Sequence, residues 1–236
     1  MPSNQIQVQT IFMYLVTAPK LLRAYYPNTL IWDIPTTEKV IYLTFDDGPH
    51  PTITPFVLNT LLQYNAKATF FCIGKNVMAN KAVYQQIVDG GHAVGNHTSH
   101  HVKGSTTSTY VYLKDVSFAA TKIHTNLFRP PYGRISKAQI KELTVSGWEL
   151  SFTNPVTMQQ QTAEHFNIIM WSVLSGDFDV TLSKEKCLKN VVNNTKQGSI
   201  VVFHDSEKAY ERMAYALPKV LAHFSHLGYR FEVIPQ

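Results

Sequence analysis

The chain has 236 residues, of which 44% are hydrophobic and 16% charged, with a formal net charge of +5. These values exclude a disordered chain and predict one soluble globular domain. The positive charge forms no block of Lys and Arg and does not alternate with aromatic residues, so we expect no nucleic-acid partner. The two cysteines, Cys72 and Cys187, provide no disulfide framework.

The sequence contains no apolar run near the ~20 residues that a membrane-spanning helix needs. The apolar stretch 11–16 is too short for a secretory signal and has no basic start before it. The sequence as given therefore shows no export signal, which predicts a cytoplasmic protein, while an association with the cell envelope stays open. The oligomeric state is not indicated.

The predicted elements begin after residues 1–38, which show no hydrophobic period and contain four prolines. We predict that these residues are an N-terminal extension packed on a single domain spanning 39–236. From residue 40, apolar runs rich in β-branched and aromatic residues alternate with stretches of helical period. Strands are predicted at 40–45, 68–73, 92–95, 127–129, 168–173, 199–203 and 229–234.

Helices are predicted between these strands. They are expected after the cap Thr54 with Pro55 at the first helical position, over 82–88 and 110–125, from Ser136 to Gly147, from Ser183 to near Gly198, and as two stretches divided near Pro218. The Gln-rich residues 153–165 are predicted to form a loop. The alternation predicts the α/β class, with parallel β/α units in a closed or nearly closed arrangement.

Polar side chains directly follow the predicted strands, at the edge where β/α barrels place their active sites. They are Asp46, Asp47, His97, His101, Arg129, Asp177 and His204. Their shared location favours a functional role over the ordinary ones, namely turn formers, a core histidine and a structural salt bridge.

His97 and His101 are spaced four residues apart, which on a helical turn places two imidazoles on one face, as in zinc sites. His100 is then expected to be solvated or to lie behind the ligands. One carboxylate from the Asp46–Asp47 pair completes a two-His, one-carboxylate set with open positions. Such a site lowers the pKa of a bound water and polarises a carbonyl.

The remaining side chains suit acid–base chemistry. The aspartate that is not a ligand can act as a general base, with its charge held by Arg129. His204 is a candidate acid for the leaving group, and Asp177 can orient and charge its imidazole.

Five segments, in this order, resemble the five motifs of the polysaccharide deacetylase family (carbohydrate esterase family four). They are 44–49, 97–101, 129–133, 171–178 and 202–205. The resemblance implies a distorted (β/α) barrel with about seven parallel strands. It also implies one divalent metal, most often Zn²⁺ with Co²⁺ as an alternative, held by Asp47, His97 and His101.

The resemblance further implies a role for each remaining site residue. Asp46 matches the catalytic base, Arg129 the residue that positions it, and the backbone N–H of Tyr132 an oxyanion donor. His204 matches the general acid and Asp177 its partner. The implied reaction removes N-acetyl groups from amino-sugar residues of a chitin- or peptidoglycan-like poly- or oligosaccharide and releases acetate.

The sequence also departs from the family pattern. Leu174 stands where an acidic residue is common, Phe178 where Trp is common and Val202 where Leu is common, and the stretch 148–165 is longer than usual. These changes bear on the substrate rather than on the metal ligands. Two alternatives stay open: a carbohydrate-binding protein that has lost catalysis, and a hydrolase of another amide or an O-acetyl ester on the same fold.

Overall fold

The computed structural model describes residues 15–144, 150–153, 160–163 and 165–236. Its strands are β1 (Leu30–Ile31), β2 (Val40–Asp46), β3 (Ala68–Cys72), β4 (Ala93–Asn96), β5 (Leu127–Phe128), β6 (Leu150–Thr153), β7 (Gln160–Ala163), β8 (Asn167–Ile169), β9 (Val173–Leu174), β10 (Ile200–His204) and β11 (Arg230–Phe231). Its helices are α1 (Lys20–Tyr25), α2 (Ile53–Leu62), α3 (Gly74–Ala79), α4 (Lys81–Asp89), α5 (Thr109–Ala120), α6 (Lys137–Thr144), α7 (Lys184–Val192) and α8 (Tyr210–His226).

The main sheet contains nine strands among the described residues, in the order β1-β8-β5-β4-β3-β2-β10-β9, with β11 added beside the start of β2. Every pairing within it is parallel. The carboxyl ends of these strands therefore meet at one edge. The α/β class and the barrel-like parallel arrangement are confirmed, with two strands more than the seven predicted.

The core forms around β2, whose seven residues are all buried. Strands covered on both faces need near-continuous apolar sequence, and the run 40–45 supplies it. Phe45 stacks against Phe70 and Phe203 of the two neighbouring strands, with ring centroids 5.1 and 6.0 Å away. This packing fixes the end of β2, where Asp46 lies.

Several helix predictions differ from the structure. The first turn of α2 begins at Ile53, so Thr54 lies inside the helix and the prediction of Thr54 as its cap is wrong. α8 continues through Pro218, because burial of its apolar face outweighs the ~3 kcal/mol cost of an internal proline. α3 has no counterpart in the prediction, and α5 and α7 end at Ala120 and Val192, earlier than predicted.

The predicted strand 168–173 is two strands, β8 and β9. Between them the chain changes partners, from β1 and β5 to β10, and the buried Arg129 guanidinium donates to the carbonyls of Ile169 and Met170 at this break. Within the predicted loop 153–165, the described residues of β7 pair with β6 in an antiparallel hairpin, so the loop prediction is wrong there. The predicted helix end at Gly147 lies outside the described residues.

The segment before residue 39 contributes to the sheet. Leu30 and Ile31 of β1 pair in parallel with Ile168 and Ile169 of β8. The division of the chain at residue 38 stays a prediction. In the part of the chain that the structure describes, no helix has both the length and the apolar character needed to cross a membrane.

Candidate active site

The structure brings the predicted side chains to the carboxyl edge of the sheet. Asp46 ends β2 and Asp47 follows it, while His97 comes directly after β4. Arg129 follows β5 and His204 ends β10. Because the strands are parallel neighbours, residues far apart in sequence meet at this one edge.

Asp47, His97 and His101 form a cluster suited to a metal ion. Asp47 Oδ1 lies 3.2 Å from His101 Nε2 and 3.8 Å from His97 Nε2. One ligand atom from each of the three lies within 4.8 Å of the others. Asp47 Oδ1 is buried and has no hydrogen-bond partner among the described residues, which is costly unless a cation takes that place. The donor set of two imidazoles and one carboxylate suits Zn²⁺ and related divalent ions.

His97 is prepared to act as a ligand through Nε2. Its Nδ1 lies 2.7 Å from the carbonyl oxygen of Arg129, which can only accept a hydrogen bond. The proton therefore resides on Nδ1, and the lone pair of Nε2 faces Asp47. Burial lowers the pKa of His97 to about 4, so the imidazole is neutral at physiological pH.

The loop after β4 positions His101 with a backbone conformation that the four-residue spacing of His97 and His101 did not indicate. Residues 97–101 form no helix, and Thr98 and His101 have φ angles of 62° and 56°. The helical-turn prediction is therefore wrong, yet the two imidazoles lie with centroids 5.1 Å apart. This left-handed backbone, and not a helical period, brings His101 towards His97.

Asp115 of α5 holds this loop from behind. Its Oδ2 accepts hydrogen bonds of 2.9 Å from the backbone N–H groups of Ser99 and His100. The His100 imidazole contacts Asp115 Oδ1, and 58% of its side chain is exposed. His100 thus lies outside the ligand cluster, as predicted.

Asp47 adopts an unusual backbone conformation, with a φ of 82°. Its carbonyl accepts a 2.7 Å hydrogen bond from Nδ2 of Asn76, at the start of α3. Burial raises the pKa of its carboxyl, but the contact with His101 and the nearby His204 and His97 imidazoles outweigh burial and lower the pKa. Asp47 is therefore ionised, as a metal ligand must be.

Asp46 has a separate neutralising partner. Arg129 Nη1 donates to Asp46 Oδ1 at 2.8 Å and to Thr44 Oγ1 at 2.6 Å, and the arginine side chain is fully buried. Its other donors bind Ile169 and Met170 carbonyls at 3.1 and 2.9 Å. Asp46 Oδ2 receives no hydrogen bond from the described residues, so this oxygen is left to accept a proton.

His204 and Asp177 form a second ion pair at the same edge. His204 Nδ1 lies 2.8 Å from Asp177 Oδ1, and the His204 backbone N–H donates to Asp177 Oδ2 at 2.7 Å. Burial lowers the pKa of His204, but the Asp177 carboxylate, with smaller contributions from Asp47 and Asp46, raises it to about 10. His204 is therefore protonated at neutral pH and able to donate a proton.

Tyr132 flanks the ligand cluster. It has a φ of 59°, and its ring centroid lies 4.6 Å from that of His101. Its hydroxyl is 3.2 Å from His101 Nδ1, a contact that the sequence did not indicate. The side chain is 61% exposed, so it borders the approach to the cluster.

Asp205 is a buried residue of the site that sequence reasoning missed. Its Oδ1 accepts a 3.0 Å hydrogen bond from the Gly48 N–H, and its Oδ2 accepts one from the Thr54 hydroxyl. Burial raises the pKa of its carboxyl to about 7. Its position directly after His204 was the available signal.

The comparisons with known proteins agree with this geometry. The family model described as Polysaccharide deacetylase matches residues 33–150, half of the chain. A Bacillus cereus peptidoglycan-N-acetylglucosamine deacetylase is 34% identical over 211 residues, covering 87% of this chain and 91% of that protein. A chitooligosaccharide deacetylase from Azorhizobium caulinodans is 31% identical, covering 73% of this chain and 76% of that protein.

A solved structure is similar as well. The Bc1960 peptidoglycan N-acetylglucosamine deacetylase, in complex with 4-naphthalen-1-yl-N-oxidanyl-benzamide, has a TM-score of 0.74 and 27% identity, and the match covers 92% of this chain and 95% of that one. The sequence motifs, the fold and these relatives lead to the same assignment. The chain belongs to the polysaccharide deacetylase family.

Proposed function

We propose that this protein is a divalent-metal-dependent hydrolase that removes N-acetyl groups from amino-sugar residues of peptidoglycan or a related glycan, releasing acetate. The observation that carries the proposal is the separation of two adjacent carboxylates. Asp46 is bound to Arg129, whereas Asp47 faces His97 and His101. Two like charges at neighbouring positions can thus remain ionised with different functions.

The metal is proposed to bind Asp47, His97 and His101, with zinc as the first candidate. The buried Asp47 Oδ1, which faces His101 and receives no hydrogen bond from the described residues, and the Nδ1–H tautomer of His97 support this ligand set. When bound, the ion supplies Lewis-acid polarisation of the acyl oxygen and lowers the pKa of water.

Asp46 is proposed to act as the general base. Arg129 occupies Asp46 Oδ1, which orients the carboxylate and leaves Oδ2 to take the proton of the attacking water. As the water oxygen bonds to the acetamide carbon, negative charge develops on the carbonyl oxygen. The backbone N–H of Tyr132 is the proposed hydrogen-bond donor to that oxygen.

His204 is proposed to act as the general acid. Because Asp177 keeps the imidazole protonated, His204 can donate its Nε2 proton to the amide nitrogen as the carbon–nitrogen bond breaks. Acetate and the free amine of the sugar are the products. Proton uptake by Asp46 and proton release by His204 balance the reaction.

Acetate release tests this function. The full chain would be incubated with N-acetylated peptidoglycan, with acetylated chito-oligosaccharides and with an O-acetylated xylan, with and without a chelator. We expect acetate from an N-acetylated substrate, loss of release with the chelator and recovery on adding zinc. Absence of release from every substrate would favour a carbohydrate-binding protein, and release from xylan alone would favour an esterase.

The peptidoglycan-type substrate is proposed first because the 34% identical relative and the similar solved structure are both peptidoglycan N-acetylglucosamine deacetylases. The chitooligosaccharide deacetylase, at 31% identity, supports the second arm of the assay. The relative kcat/KM for the two substrates decides between them.

A further inference from the structure

The turn that carries Asp46 and Asp47 is fixed by side chains and backbone groups from other elements. The Asp205 N–H donates to the Asp46 carbonyl at 3.1 Å, and the Gly48 N–H donates to Asp205 Oδ1 at 3.0 Å. Asn76 Nδ2 donates to the Asp47 carbonyl at 2.7 Å. The peptide groups on both sides of Asp47 are therefore held in place from outside the turn.

The contact between Asp205 and Gly48 leaves no room for another residue type. A Cβ atom on Gly48 would lie 2.0 Å from Asp205 Oδ2 and 2.5 Å from its Cγ. Asp205 is fully buried, and a buried carboxylate needs donors on its oxygens. The Gly48 N–H and the Thr54 hydroxyl supply one donor to each oxygen.

The conformation of Asp47 needs this support. A residue with a side chain at a φ of 82° is outside its preferred backbone regions, which costs of order 1–3 kcal/mol. Such a conformation persists only where its surroundings impose it. Without the acceptor on the Gly48 N–H, the turn can relax and take Asp47 Oδ1 away from His97 and His101.

We propose that Asp205, oriented by the Thr54 hydroxyl, is a positioning residue that presets the Asp47 turn for metal binding. This inference rests on the proposed metal-dependent function. Thr54, a residue of the first turn of α2, would orient the Asp205 carboxylate through its hydroxyl, and Asp205 would in turn hold the Gly48 N–H. Groups that orient metal ligands in this way typically change metal affinity by about 10- to 100-fold when removed.

Zinc binding to the metal-free full chain tests the proposal without relying on turnover. The dissociation constant would be measured by competition with a chromophoric chelator. We expect Thr54→Val and Asp205→Ala to bind zinc about 10- to 100-fold more weakly than wild type. Thr54→Ser keeps the hydroxyl and Asp205→Asn keeps the acceptor for the Gly48 N–H. Both variants are therefore expected to retain most of the wild-type zinc affinity.

Thr60→Val is the matched control. Thr60 is also buried in α2, but its hydroxyl donates to the Phe56 carbonyl, 2.8 Å away, and does not contact the turn. This variant should bind zinc like wild type. Thermal unfolding of each metal-free variant shows whether the variant is folded, so weaker zinc binding in a folded variant reports loss of positioning. If Asp205→Ala does not fold, Thr54→Val still tests the proposal, because it changes no charge.

The outcomes separate this inference from the proposed function. Wild-type zinc binding together with unchanged affinity in Thr54→Val and in folded Asp205→Ala overturns the positioning role alone. Equal weakening in Thr54→Val, Thr54→Ser and the Thr60→Val control also overturns it, because the effect is then general to α2. Failure of the wild-type chain to bind zinc or another divalent ion overturns the proposed metal dependence, and this inference with it.

Discussion

Replacing Asp177 with asparagine perturbs the proposed general acid while leaving the metal ligands in place. Asp177 uses both oxygens as acceptors, one for the His204 N–H and one for His204 Nδ1, at 2.7 and 2.8 Å. An asparagine supplies only one acceptor oxygen. If the asparagine oxygen accepts the hydrogen bond from the His204 backbone N–H, the asparagine NH₂ group faces His204 Nδ1. An NH₂ donor at this position favours the neutral imidazole, because Nδ1 must then accept a hydrogen bond.

The magnitude follows from the charge that is lost. In wild type the Asp177 carboxylate is the main influence raising the pKa of His204 to about 10 against the effect of burial. Removing an opposite charge at this distance typically lowers such a pKa by roughly 1–3 units. Starting from about 10, this shift places the pKa of His204 at roughly 7–9. At pH 7 at least about half of the imidazoles then stay protonated, so turnover falls by no more than about twofold there, whereas at pH 9 the protonated fraction, and with it general acid catalysis, falls by up to about 100-fold.

The assay is acetate release as a function of pH, combined with an NMR titration of His204. We expect the alkaline limb of the kcat profile to move to lower pH in Asp177→Asn, with zinc affinity unchanged. Asp179→Asn is the control, because Asp179 lies in the same loop and binds the Thr181 N–H and hydroxyl at 2.9 and 2.7 Å. An Asp177→Asn profile that coincides with wild type would refute the role of the pair.

The same pair predicts a pH dependence of stability. The pKa of His204 is about 10 in the folded chain and near 6.5 when the chain is unfolded. The contribution of His204 to the free energy of unfolding is therefore fully present below pH 6.5 and is lost as the pH rises through about 10. Chemical unfolding of wild type and Asp177→Asn across this pH range should show a smaller change of the free energy of unfolding with pH in the variant. Equal pH dependence in the two proteins contradicts the role of Asp177 in stabilising protonated His204. Arg129→Met leaves Asp46 buried without its partner and should lower the free energy of unfolding by about 3–5 kcal/mol, as measured by urea titration; a loss below about 1 kcal/mol, the value of an exposed pair, contradicts a buried ion pair. Tyr132→Phe keeps the ring and removes the hydroxyl 3.2 Å from His101 Nδ1, so zinc affinity should fall while the proposed backbone donor stays; unchanged affinity shows that the hydroxyl does not orient His101.

The sequence was sufficient to predict that the site lies at the carboxyl edge of the sheet, because the polar site residues come directly after strands that are clearly apolar. β2 and β10 are buried almost throughout, so their ends, and hence Asp46 and His204, could be located. Parallel pairing then brings such ends together without knowledge of loop structure. The assignment of individual roles to Asp46 and Asp47 depended on the family resemblance.

Other features depended on contacts that local patterns do not encode. Thr98 and His101 have positive φ angles in a loop whose Ser99 and His100 N–H groups are held by Asp115, and a helical spacing rule represents neither feature. Thr54 resembles a helix cap in sequence, but its hydroxyl binds Asp205, 151 residues away. The break between β8 and β9 likewise lies where the chain changes partner strands and where the buried Arg129 donates to the Ile169 and Met170 carbonyls, contacts between residues far apart in sequence.

We propose different functions for the two adjacent aspartates, Asp46 and Asp47, and one paired measurement can distinguish them. Bound zinc and acetate release would be measured on the same preparations of wild type, Asp46→Asn and Asp47→Ala. We expect Asp46→Asn to retain zinc but to lose turnover by about 10²–10⁴-fold, whereas Asp47→Ala should lose both. Wild-type turnover in Asp46→Asn, or full zinc binding in Asp47→Ala, would contradict this proposal.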